Sequence, residues 1–169
     1  MKTRGSRFRL VRYFAVASLA CGGLAFATSG ASASGAGAVS FTQVFHNQVD
    51  TFHDSVPCTN APATITTTSN GALHVTNLTS GVGAGTFWFT ITQTGSVTIV
   101  PDDPTQPTYT GHFTFWEGDN GNLKNGTATF TFNVRLVGSD GSVINGHLLE
   151  HMTISATGAT VEFFKAVCT

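Results

Sequence analysis

The sequence predicts an all-β protein: an antiparallel meander of about nine strands closed into an up-and-down β-barrel, with a two-sheet β-sandwich as the alternative. Three observations carry that expectation. Apolar and polar residues alternate with period two along most of the chain, and hairpin-turn chemistry falls between the alternating runs. Two cysteines stand just after the first strand and at the end of the last.

From the amino end, MKTRGSRFRLVR is basic, YFAVASLACGGLAFA is apolar, and TSGASA is small and polar. That order is the layout of a secretory signal peptide, with Ala31-Ser32-Ala33 as the A-x-A cleavage signal. Residues 1–33 are therefore assigned to a signal peptide, 34–40 to a flexible lead-in, and 41–169 to a single all-β domain. The apolar run is short of the roughly 20 residues that span a bilayer, so no membrane anchor is expected after cleavage. Cys21 raises lipidation as an alternative, but Ser18-Leu19-Ala20 puts leucine at the wrong place for a good lipobox.

Five of the eight basic residues belong to the leader, and all nine acidic residues lie beyond it. The exported part keeps Lys124, Arg135 and Lys165 against nine carboxylates, a formal charge of −6. Three cations cannot neutralise a run of phosphates, which argues against nucleic acid and against anionic membrane surfaces as partners.

The strand pattern is clearest in TATFTFNVRLV, where Ala128, Phe130, Phe132, Val134 and Leu136 share one face while threonines, Asn133 and Arg135 share the other. GTFWFTITQ, TYTGHFTFWE and ATVEFFKAV read the same way, and no window of a dozen residues supports an amphipathic helix. Ser69-Asn70-Gly71, Gln93-Thr94-Gly95, Ser139-Asp140-Gly141 and Thr157-Gly158 are read as hairpin turns. Glycine-bulge turns at the first three set Ile91 opposite Val97, Phe89 opposite Ile99, and Glu150 opposite Phe130. PDDPTQP (101–107) reads as an irregular connection, and EGDNGNLKNG (117–126) as a polar loop.

Cys58 and Cys168 are the two cysteines beyond the leader, and an even count in an exported chain predicts a disulfide between them. The bond would bring the first and last strands together, as closure of a barrel requires.

Residues 147–151, HLLEH, match the H-x-x-E-H spelling of a zinc-protease motif. In SVINGHLLEHMTISA, however, Ile144, Leu148, Glu150, Met152 and Ile154 alternate as one strand face, with His147 and His151 on the other. Four residues along a strand span about 13 Å, too far for two ligands that must each lie about 2 Å from one ion. No metal, cofactor or catalytic residue is assigned. A turn at Thr157-Gly158 would set Glu150 opposite Lys165, an inner-face pair inside a largely aromatic interior. Glu150 and Lys165, with Tyr109 on the Phe113–Phe115 face, are the candidate ligand-binding residues. His147, His151 and Arg135 read as solvated surface, and Trp88 and Trp116 fall on polar faces.

CTNAPATITTTSNGALHVT, PTYTGHFTFWEGDN and GSDGSVINGHLLEH, with a cysteine close to the end, resemble a group of small secreted proteins of actinobacteria. The resemblance implies export and a β-fold and transfers no activity. The leading expectation is a secreted, non-catalytic barrel that binds a small apolar or amphipathic ligand. The alternatives are an isomerase- or cyclase-type barrel enzyme using Glu150 and Lys165, and an extracellular structural or interaction protein whose eleven exported phenylalanines fill the core. Interior volume separates the first from the last. No motif encodes the oligomeric state.

Overall fold

The computed structural model describes residues 30–35, 37–122 and 124–169; most of the stretch read as a signal peptide, Cys21 included, lies outside the described residues. The chain forms β1 (Gly30–Gly35), β2 (Ala38–Ser55), β3 (Pro62–Leu78), β4 (Phe87–Pro101), β5 (Tyr109–Gly121), β6 (Gly126–Gly138), β7 (Val143–Ile154) and β8 (Thr160–Cys168). All belong to one antiparallel sheet in sequence order, seven long strands from β2 onward with the short β1 beside β2. Among the described residues there is no helix. Residues 34–40, read as a lead-in, include the end of β1 and the first residues of β2.

Two sequence expectations are corrected here. The strand count falls from nine because Ser69-Asn70-Gly71 and Gln93-Thr94-Gly95 are not turns. They lie inside β3 and β4, which pair without interruption from Ala63↔Pro101 to Asn77↔Phe87. Ile91 therefore faces Leu73 rather than Val97, and Phe89 faces Val75 rather than Ile99. Glycine serves here by lacking a side chain. A Cβ on Gly95 would run into the Thr68 carbonyl oxygen, and one on Gly71 into the Thr92 carbonyl oxygen and the Phe45 ring. Glycine inside a strand marks such close approaches, where a sheet bends sharply.

The second correction concerns closure. The strand ladder ends at β8, which pairs only with β7, so the sheet is open rather than a hydrogen-bonded barrel, and a single sheet is not a sandwich. The ends meet covalently instead. Cys58, in the turn after β2, is bonded to Cys168 at the end of β8, with Cα atoms 5.8 Å apart. That turn is held by Val56 N–H donating to the Ala61 carbonyl at 2.7 Å and Asn60 N–H to the Val56 carbonyl at 3.1 Å.

The core lies on the inner face. Ile65, Val97, Ile99, Phe113, Phe115, Phe130, Phe132, Val134 and Leu136 are buried there, and Val56 folds in from the β2–β3 turn. Phe113 meets Phe132, and Phe115 meets Phe130, with ring centroids 6.1 and 6.2 Å apart, inside the range of favourable aromatic pairs. Where Pro57 meets Ile65, Val97, Ile99, Phe113, Phe132 and Val134, only about 10 Å³ of space remains. That is room for about one water molecule, so this end of the inner face is filled.

β2 crosses from one end of the inner face to the other with one irregularity. Between Phe45 and Gln48 its register shifts, and Asn47 takes a left-handed conformation at φ 51° while its N–H donates to Asn70 Oδ1 at 2.9 Å. The extra residue of this bulge changes which alternate positions face inward, so Phe52 continues the core face that Phe45 began.

Candidate functional site

Polar side chains depart from the hydrophobic pattern in two places, one on each face. On the inner face, β5 continues past Phe115 with Glu117 and Asp119, and β7 contributes Glu150. The register sets Ile91, Glu117, Phe130, Glu150 and Phe164 in one row across β4 to β8. Glu150 faces Phe130, as the Ser139-Asp140-Gly141 turn predicted. It does not face Lys165. The β7–β8 connection runs from Ser155 to Ala159, one residue out of step with a two-residue turn, so Lys165 lies opposite Leu149 on the other face. Tyr109 is buried at the far end of β5, eight residues from Glu117 or about 26 Å along the strand. The three residues expected to line one ligand site are not brought together.

The residues the sequence reading missed are Glu117 and Asp119. They lie at inward positions of the alternation that begins at Phe113, but EGDN at the head of a polar stretch reads as loop. Burial, reinforced by the negative charges of Asp119 and Glu150, pushes the Glu117 carboxyl up to about 7. Burial raises Asp119 as well. One carboxylate oxygen of each, Glu117 Oε2 and Asp119 Oδ1, is buried with no hydrogen-bond partner among the described residues. An ionised carboxylate in that position loses hydration without recovering it, which is why both groups hold a proton more tightly than a free carboxyl does.

This has a consequence for stability. With a folded value near 7 against 4.5 for a free glutamate, Glu117 holds a proton in the folded state that the unfolded chain has already released between those two pH values. Folding stability therefore falls as pH rises from about 4.5 through 7. Glu117→Gln removes the titration: the variant is expected to be more stable than the parent at pH 8 by about 1 to 2 kcal/mol after allowing for partial solvent exposure, and to lose that advantage at pH 4. Urea denaturation at the two pH values measures the difference.

The outer face is rich in threonine, and all six histidines are exposed. Several are held by cross-strand hydroxyls: Thr129 Oγ1 lies 2.6 Å from His151 Nδ1, and Thr42 Oγ1 2.8 Å from His74 Nδ1. His53 Nε2 is hydrogen-bonded to the Asp102 carboxylate at 2.8 Å. HLLEH runs as strand within β7, with His147 and His151 outward and Glu150 inward. Among the described residues no group of three His, Cys, Asp or Glu side chains is placed to share a metal ion. Trp88 and Trp116 are also exposed on this face, and a Cβ on Gly118 would lie 2.8 Å from the Trp116 ring.

A recess of about 390 Å³ opens on the outer face of β4 to β8. Two rows of the register line it, Thr94–Thr114–Asn133–His147–Val167 and His112–Arg135–Asn145–Thr169. Asn133 Nδ2 donates to Thr114 Oγ1 at 3.3 Å, so its oxygen accepts from His147 Nδ1 at 2.6 Å. That chain fixes the His147 tautomer and leaves Nε2 as the ring nitrogen open to a ligand. Residues that read as bland surface in the sequence thus line a recess, brought together by the pairing of β4 to β8.

Comparison with models of known families, with curated proteins and with solved structures gives no match. The Cys58–Cys168 bond is compatible with an oxidising compartment. No helix among the described residues is long and apolar enough to cross a membrane.

Proposed function

We propose that the chain is an exported, non-catalytic binding protein that acts through its outer face. The contrast between the two faces carries this reading: about 10 Å³ of space among the inner aromatic residues, against a recess of about 390 Å³ on the outer side. A small apolar ligand needs an enclosed volume of several hundred Å³, which the packed inner end does not offer. Export is supported by the leader composition, by the resemblance to small secreted actinobacterial proteins, and by the disulfide.

Glu117 favours a second reading, acid–base chemistry on the inner face, because a carboxyl held near 7 beside Glu150 is matched to proton transfer at neutral pH. Its weakness is that Lys165, the basic partner expected for Glu150, lies on the opposite face.

Amide chemical-shift mapping with a panel of sugars, amino acids, carboxylates and fatty acids separates these readings. The proposed function expects saturable shifts at His112, Asn133, Asn145 and His147. Shifts centred on Phe115, Glu117 and Phe130 would place the ligand inside and overturn it.

A further inference from the structure

The outer recess differs from the rest of the chain in its side-chain charges. Beyond the leader there are nine carboxylates and three cations, yet no aspartate or glutamate lines the recess while one of the three cations, Arg135, does. His112 stands directly opposite Arg135 across the β5–β6 ladder, and Asn145 opposite it across β6–β7. Thr169, the last residue of the sequence, brings its main-chain carboxylate to this wall, where one oxygen accepts from the Asn145 N–H at 2.7 Å and from its side-chain amide at 3.4 Å, so this anion is already held by Asn145. No carboxylate lies within ion-pair distance of the Arg135 guanidinium among the described residues.

Resting on the outer-face reading above, we infer that this recess binds a carboxylate that carries a neighbouring hydroxyl group. The guanidinium takes the carboxylate as a planar fork, the geometry for which arginine is suited. His147 sits diagonally across the ladder from Arg135, about 7–8 Å away between Cβ atoms. With Nδ1 donating to Asn133, Nε2 is the ring nitrogen left for a ligand, and a hydroxyl, which both donates and accepts, is suited to it. Thr114 and the amides of Asn133 and Asn145 supply the remaining polar wall. Two sources carry this chemistry, a free hydroxy acid and a uronic acid unit of a polysaccharide, and the volume admits either.

The test is amide-shift titration of the disulfide-bonded protein with acetate, lactate, galacturonate, tri-galacturonate, galacturonate methyl ester and galactose. The acids are expected to shift the His112, Asn133, Asn145 and His147 amides saturably, with affinity that falls as salt is added. Arg135→Gln should weaken binding at least about tenfold, and Lys165→Gln should leave it unchanged. His147→Phe should weaken galacturonate more than acetate, which lacks the hydroxyl. Tighter binding of tri-galacturonate than of lactate identifies the polymer as the source, and the reverse identifies the free acid.

Equal shifts from the methyl ester and galactose would overturn the carboxylate assignment while leaving an outer-face site in place. Equal losses in Arg135→Gln and Lys165→Gln would reduce the effect to general charge and overturn it too. No saturable shift with any of the acids overturns it outright. Both arginine and lysine positions are exposed, so neither substitution threatens the fold, and the unshifted amide spectrum of each variant verifies this.

Discussion

Replacing Cys58 and Cys168 with serine is expected to lower folding stability by about 4 to 5 kcal/mol, because the bond closes a loop across a sequence separation of 110 residues. Chain entropy is only part of the reason for a loss of this size. β8 is the sheet's outermost strand, paired on one side only, and eight of its nine residues are exposed, with Phe164 alone half-buried. A strand that buries so little cannot hold its place on apolar contacts, so the covalent link to the β2–β3 turn is what keeps it against the sheet. Denaturant titration of the double variant should show the midpoint shift, and hydrogen exchange should show β8 amides losing protection before those of β5 and β6. A stability loss under about 1 kcal/mol with β8 protection intact would mean that the strand is held by its ladder alone.

Gly95→Asn is the second large effect. Asparagine tolerates the left-handed conformation of a turn, so a hairpin at Gln93-Thr94-Gly95 would accept it at little cost. In β4 the same substitution places a Cβ against the Thr68 carbonyl oxygen and 2.9 Å from the Ser69 Cα, both backbone atoms of the paired strand. Neither can yield without breaking the β3–β4 ladder, and the expected loss is about 3 kcal/mol or more. Gly141 is the internal control. It lies at φ +84° in the β6–β7 turn with nothing near the position of a Cβ, and Asp140 accepts from Ser142 Oγ at 2.6 Å and from its N–H at 2.9 Å. Gly141→Asn should cost less than about 1 kcal/mol. Similar losses at the two glycines would restore the hairpin reading of residues 93–95.

These two glycines also show how far the sequence could be read. Period-two alternation identifies an all-β chain because inward and outward side chains must differ in chemistry, and cysteine placement identifies the bond. The Ser139-Asp140-Gly141 turn sets the β6–β7 register correctly, pairing His147 with Asn133 and Glu150 with Phe130. What fails is local chemistry with two physical meanings. Ser-Asn-Gly supplies a turn where φ must be positive and a bend where a Cβ has no room, and no neighbour in the sequence separates the cases. A one-residue difference in the β7–β8 connection then moves Lys165 to the outer face. The candidate site was less legible than the fold. Glu117 and Asp119 follow the parity of Phe113 and Phe115 and were recoverable from it, whereas the Arg135 recess is assembled from five strands and the chain's last residue, which no local residue pattern expresses.

Native mass spectrometry of the protein isolated from the cells or medium that produce it, before any ligand is added, tests most directly whether the inner face is a filled core or a ligand chamber. The expected mass is that of the disulfide-bonded chain, with no apolar adduct. A fatty-acid- or lipid-sized adduct that persists in Arg135→Gln and is lost in Phe132→Trp, which crowds the inner face, would contradict a binding protein that works from its outer surface.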